Sequence, residues 1–156
     1  MTQSLYEGRC FCGAVRIEVR GDPILAGYCH CQDCRDWSNA PVTSFAMWPP
    51  DAVTITQGKE DLARFSRIPE TPRAWCARCG GHIGAFRDQY DPPFIAVLPH
   101  MLADFPFVPT LHLFCKEAVI DVKDDLPKYR DLPKSFVKPG TTIEGSGELM
   151  PDPSSP

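Results

Sequence analysis

Seven of the eight cysteines of this chain fall in three tight groups: Cys10-Phe11-Cys12, Cys29-His30-Cys31-Gln32-Asp33-Cys34 and Cys76-Ala77-Arg78-Cys79. Nothing else in the sequence constrains folding as strongly, because each group has to turn the backbone until its sulfurs converge on one point. Two of the groups run straight into glycine, at Gly13 and at Gly80-Gly81. Glycine permits the required dihedrals and lets backbone amides approach the sulfurs. Eight cysteines among 156 residues fall below the roughly 8–10% that marks a disulfide scaffold. MTQSLYEGRC shows no apolar signal region, so the expectation is a cytoplasmic protein, where disulfides rarely persist. The longest apolar run, Phe94 to Leu98, is too short to span a bilayer, so no membrane partner is expected. Zinc is the expected metal, in two sites per chain.

The ligand count separates the sites. Closed structural zinc takes four protein ligands, whereas catalytic zinc takes three and keeps a position open. Cys10, Cys12, Cys76 and Cys79 make a quartet for a structural site. Cys29, Cys31 and Cys34 make a trio whose fourth position is open to a ligand, and an open three-thiolate zinc is a reaction centre. The alternative is a second closed site completed by His30 or Cys115. His30, between two ligand positions, is better placed to hydrogen-bond beside the metal than to ligate it. Cys115 stands in an apolar run and reads as a small core residue. His82, His100 and His112 have no ligand-like spacing and read as structural histidines. Arg9, Arg35, Arg73 and Arg78 flank the cysteines. They read first as compensation for thiolate charge, with binding of a substrate carboxylate as the second reading. Trp37, Phe45, Trp48 and Trp75 read as core or pocket wall.

Seventeen prolines disfavour long helices. Val15, Ile17 and Val19 alternate with Arg16, Glu18 and Arg20, the period of a strand with one buried face. Other strand-like runs are Ile24 to Tyr28, Thr43 to Trp48, Val53 to Thr56, Ala63 to Ser66, Ala74 to Cys76, His82 to Phe86, Phe94 to Leu98 and Leu111 to Phe114, most of them bounded by Gly, Pro or Asp. Helix is expected only as a turn over Gln32 to Trp37. A mainly β fold of short antiparallel sheets, with few or no long helices, follows. The length suits one domain, over residues 1–137, and the Pro/Gly/Ser-rich residues 138–156 read as a flexible tail. A net charge of -4 argues against a nucleic-acid partner.

With these residues laid out, the chain closely resembles the family of glutathione-dependent formaldehyde-activating enzymes and centromere protein V, from Gly8 to about Phe136. The resemblance is carried by Gly8-Arg-Cys10-Phe-Cys12-Gly13-Ala-Val15, by Cys29-His30-Cys31-Gln-Asp-Cys34-Arg35, by Trp75-Cys76-Ala-Arg-Cys79-Gly80 and by Asp125-Leu-Pro-Lys-Tyr129. It implies a β-tent fold, a structural zinc on Cys10, Cys12, Cys76 and Cys79, and a catalytic zinc on Cys29, Cys31 and Cys34 that a glutathione-like thiol approaches. The activity implied is that of a carbon-sulfur lyase of the S-(hydroxymethyl)glutathione synthase type, joining that thiol to formaldehyde or a related small aldehyde, with His30 the nearest group to move a proton. The rival expectation is a zinc-stabilised binding module without catalysis.

Overall fold

The computed structural model describes residues 3–89, 91–136 and 144–151. The strands run over Leu5–Arg9 (β1), Arg16–Arg20 (β2), Leu25–Cys29 (β3), Thr43–Trp48 (β4), Val53–Gln57 (β5), Leu62–Phe65 (β6), Arg73–Cys76 (β7), His82–Arg87 (β8), Phe94–Val97 (β9) and His112–Leu113 (β10). One α-helix, Gln32–Ser38 (α1), stands among the described residues, with several single 3-10 turns. The mainly β expectation therefore holds. The chain forms two compact units: residues up to Ala26 with Phe45–Phe107, and Gly27–Ser44 with residues from Val108 onward.

In the first unit, β1, β2 and β5 form an antiparallel three-stranded sheet, with Leu5 opposite Arg20, Arg9 opposite Arg16 and Ile17 opposite Ile55. The period of two in β2 is visible in its burial: Ile17 and Val19 are buried and Arg16 and Arg20 are exposed. Ile17, Val19, Trp48, Ile83, Phe86, Ile95, Val97 and Leu102 meet in one core, and each such side chain removed from water contributes about 1.5–3 kcal/mol. A second sheet contributes the antiparallel run β4-β9-β8-β7-β6 to this unit. Trp48 in β4 is fully buried and donates its indole N–H to the Gly21 carbonyl at 3.0 Å, so a large apolar ring enters the core without an orphaned donor.

β1 is the strand that alternation misses. Only Tyr6 and Gly8 of Leu5–Arg9 turn inward, and Gly8 has no side chain to mark the period. A Cβ at Gly8 would lie 2.8 Å from Leu102 Cδ2, so the inward position is filled by the neighbour's side chain instead.

In the second unit, β10 pairs in parallel with β3, His112 beside Tyr28 and Leu113 beside Cys29. The His112 N–H donates to the Pro127 carbonyl at 2.9 Å, and the Tyr129 N–H donates to the His112 carbonyl at 2.9 Å. Within the stretch read as a tail, residues 144–151 also carry backbone hydrogen bonds: Arg130 N–H to Glu148 O at 2.8 Å, Met150 N–H to Lys128 O at 2.8 Å and Gly147 N–H to Leu132 O at 2.7 Å. The rest of that stretch, 138–143 and 152–156, lies outside the described residues.

Candidate metal centres

The quartet is built by two knuckles in the first unit. Gly13 N–H closes one turn on Cys10 O at 3.0 Å, and Gly80 N–H closes the other on Cys76 O at 2.8 Å. Both glycines are left-handed, with φ of 79° and 71° and open space where a Cβ would sit, so the backbone angle rather than crowding demands glycine. The knuckles bring Cys10, Cys12, Cys76 and Cys79 together, with every pair of sulfurs within 4.8 Å. Cys10 Sγ is 3.7 Å from Cys12 Sγ, and Cys12 Sγ is 3.9 Å from Cys76 Sγ. A tetrahedron with metal–sulfur bonds of about 2.3 Å has edges of about 3.8 Å. The donor set therefore fits zinc in both spacing and chemistry. No cysteine is in a disulfide.

Backbone amides reach two of these sulfurs: Val15 N–H donates to Cys10 Sγ at 3.3 Å and Gly81 N–H to Cys79 Sγ at 3.4 Å. The Gly81 bond leads the effects that draw the Cys79 thiol down to about 6. For Cys10, burial opposes ionisation, but the Val15 amide and the neighbouring thiols Cys76 and Cys12 prevail and lower its pKa. Such bonds stabilise thiolate, the form a metal takes.

The trio lies in the second unit. Cys29 ends β3, Cys31 caps α1 and Cys34 sits in the helix, so six consecutive residues converge because a strand passes directly into a helical turn. Cys34 Sγ is 3.4 Å from Cys29 Sγ, and all three sulfurs lie within 4.8 Å of one another. Cys34 N–H donates to Cys31 Sγ at 3.2 Å, which satisfies one of the free amides of the helix start. Cys29 and Cys34 are only 8% and 9% exposed, and Cys31 is more open. Packing against the Cys31 and Cys34 thiols, with burial, pushes Cys29 well above the usual thiol range. Among the described residues no fourth His, Cys, Asp or Glu donor joins this group, so neither His30 nor Cys115 completes it. The donor chemistry fits a metal with an open position.

His30 is buried, and its side chain meets His112: Nε2 lies 2.9 Å from His112 Nδ1. His112, with no spacing that marks it in the sequence, is fully buried and passes the chain on, its Nε2 lying 2.9 Å from Asp124 Oδ2. Lys128 Nζ donates to Asp124 Oδ1 at 2.7 Å. Burial works against the Asp124 carboxylate, but Lys128 and His112 outweigh it and hold that group down at about 2. Burial is also the first cause of the lowered pKa of His30, followed by its neighbour His112.

Arg35 donates from Nε to the His30 carbonyl and from Nη2 to the Glu117 carbonyl, each at 3.1 Å, so its guanidinium braces the turn that carries the trio. Arg78 pairs with Asp61 at 2.8 Å. Cys115 stays outside both clusters, and burial pushes its thiol up to about 11. No helix among the described residues is long and apolar enough to cross a membrane.

A solved structure, the crystal structure of a Rhodobacter sphaeroides protein, matches with a TM-score of 0.52 at 24% identity over 64% of this chain and 89% of its own, a likeness of fold. An uncharacterized lyase of Schizosaccharomyces pombe is 27% identical over 75 residues, 48% of this chain and 53% of that protein, so the chain spans about half the length of the curated relative it matches. The family model described as glutathione-dependent formaldehyde-activating enzyme matches residues 5–117, which takes in both cysteine clusters, and the chain belongs to that family.

Proposed function

We propose that this protein is a zinc-dependent carbon-sulfur lyase that joins a glutathione-like thiol to formaldehyde or a related small aldehyde, giving an S-hydroxymethyl adduct. The observation that carries the reading is the unequal division of seven sulfurs: a quartet, the number a closed site takes, and a trio that no fourth donor joins among the described residues. Family membership over residues 5–117, and a relative named a lyase, favour chemistry over a purely structural use of the trio. In this reading Cys10, Cys12, Cys76 and Cys79 hold the structural zinc, and Cys29, Cys31 and Cys34 hold the catalytic one. Bound there, zinc makes thiolate the favoured form of a thiol near neutral pH.

The chain's own groups divide the remaining work. Cys29 and Cys34 give the site a nearly dry floor, and Cys31 stands on its more open side. In the addition, the substrate sulfur forms a bond to the carbonyl carbon, and the carbonyl oxygen gains the proton that the thiol gives up. The reverse reaction breaks the carbon-sulfur bond. In this reading His30, on the turn between Cys29 and Cys31, accepts and returns that proton.

Metal analysis combined with NMR detection of the adduct tests the reading. The wild type should hold two zinc ions per chain and form adduct from glutathione and formaldehyde above the spontaneous rate. Cys31→Ser should keep one ion and its fold but lose the rate. A wild type no faster than the spontaneous reaction would leave a zinc-stapled binding module as the better description.

A further inference from the structure

Cys31 is the trio residue that packing holds least. Cys29 and Cys34 are nearly buried, whereas Cys31 is more open and stands just before the first turn of α1. Its Sγ meets the other two sulfurs with the backbone at φ -59° and ψ 146°. Those two angles are set by the peptide planes on either side, one carrying the His30 carbonyl and the other the Gln32 N–H.

Both planes are tied to one residue far along the chain. Gln32 N–H donates to Glu117 Oε2 at 2.7 Å, across 85 positions. The His30 carbonyl accepts from Arg35 Nε at 3.1 Å, and the same guanidinium donates from Nη2 to the Glu117 carbonyl, also at 3.1 Å. Glu117 thus holds one plane with its side chain and the other through Arg35. It is itself fixed, because its N–H donates to the Phe114 carbonyl at 3.0 Å to close the 3-10 turn Cys115–Glu117. Just before that turn, His30 N–H donates to the Leu113 carbonyl at 3.0 Å, so the clamp forms where β10 runs beside β3. All of these residues belong to the second unit.

A helix start leaves amides such as Gln32 N–H without an intrahelical partner, and a side-chain oxygen from elsewhere can serve as a cap. Capping explains the first bond alone. It gives no reason for the second link, in which Arg35 ties the preceding peptide to the same Glu117. What the two links share is Cys31, the residue between the peptides they hold.

We propose that Glu117 is a positioning residue of the trio: acting directly on the Cys31–Gln32 peptide and through Arg35 on the His30–Cys31 peptide, it fixes the direction of the Cys31 thiol and so sets how tightly the trio holds zinc. The proposal rests on the function proposed above only in taking the trio as a zinc site, and it needs no particular substrate. Reach to the Gln32 amide, rather than charge, is the property of Glu117 that counts.

Zinc titration of the full chain against a chromophoric chelator tests it, with Cys31→Ser assigning the trio and quartet steps. Glu117→Ala should weaken the trio by about 10–100-fold and leave the quartet, the internal control for folding, unchanged. Glu117→Gln, whose side-chain carbonyl still reaches the Gln32 N–H, should keep the wild-type affinity. Glu117→Asp, with the carboxylate one methylene short, should behave like the alanine variant, and the contrast of Gln with Asp decides even if Glu117→Ala does not fold. Wild-type trio affinity in Glu117→Ala or Glu117→Asp overturns the proposal while leaving the proposed function standing. A trio weakened in Glu117→Gln overturns it too, since charge would then be acting. A quartet weakened in step with the trio would make Glu117 a support of the fold at large and overturns it as well. A wild type that binds one zinc ion per chain removes the proposed function and this proposal together.

Discussion

Breaking the quartet should destabilise the protein by about 2 kcal/mol more than breaking the trio, because the two clusters tie together very different lengths of chain. The quartet joins Cys12 to Cys76, positions 64 apart in sequence whose sulfurs lie 3.9 Å apart. The trio joins Cys29 to Cys34, only 5 apart, with sulfurs at 3.4 Å. The entropy that a tie removes from the unfolded chain grows as (3/2)RT ln n, and the difference between n of 64 and n of 5 is about 2 kcal/mol. Cys12→Ser/Cys79→Ser and Cys31→Ser are the matched variants, since each leaves two sulfurs in its cluster, too few for a closed zinc site. None of the three positions is buried, so the serine exchanges themselves are near neutral, and serine can still cap α1 at position 31. Urea unfolding of the zinc-saturated proteins, followed by tryptophan fluorescence, gives the comparison. The quartet variant should have the lower midpoint and melt roughly 4–8 °C below the trio variant. Equal losses, or a larger loss in Cys31→Ser, would show that the trio carries the fold, and the division into a structural and a chemical site would be wrong.

Gly27→Ala should destabilise by about 1–3 kcal/mol, because its Cβ would collide with the Leu111 carbonyl oxygen and push β10 away from β3. Urea unfolding measures the loss, and nitrogen-15 NMR of the histidine rings should show the His30–His112 bond weakened with it. The depressed Asp124 carboxyl adds stability that is present above its ordinary value of 3.8 and is lost as pH falls toward about 2. Stability measured over that window should therefore fall less steeply in Asp124→Asn than in the wild type; parallel curves would remove Asp124 from the acid limb. Cys115→Ala should keep two zinc ions and wild-type turnover, because its thiol, pushed up to about 11 by burial, remains protonated at neutral pH and outside both clusters. Metal content below two would place Cys115 among the ligands after all.

Much of this molecule is legible in its sequence, and the reason is local in each case. The alternation of Val15, Ile17 and Val19 with charged residues marks β2 because a strand has only two faces. Thr43–Trp48 and His82–Arg87 are recognisable from β-branched, aromatic and small residues between turn formers. The trio is legible because its ligands are six consecutive residues. α1 is longer than the turn expected over Gln32 to Trp37 because Ser38 extends it, with Oγ donating to Cys34 O at 2.8 Å. β1 is hidden because the residue that should mark its buried face is Gly8.

Neighbours a few residues apart are enough to gather the sulfurs in groups of two, three and two, and to keep a proline-rich chain to short strands. That the two pairs close on each other across 64 residues was an arithmetic expectation which only the folded chain could realise. The His30–His112–Asp124 series was decided by tertiary structure alone. Its members are 82 and 12 positions apart and share no period, and they meet because the pairing of β10 with β3 carries His112 to the end of the strand where the trio begins.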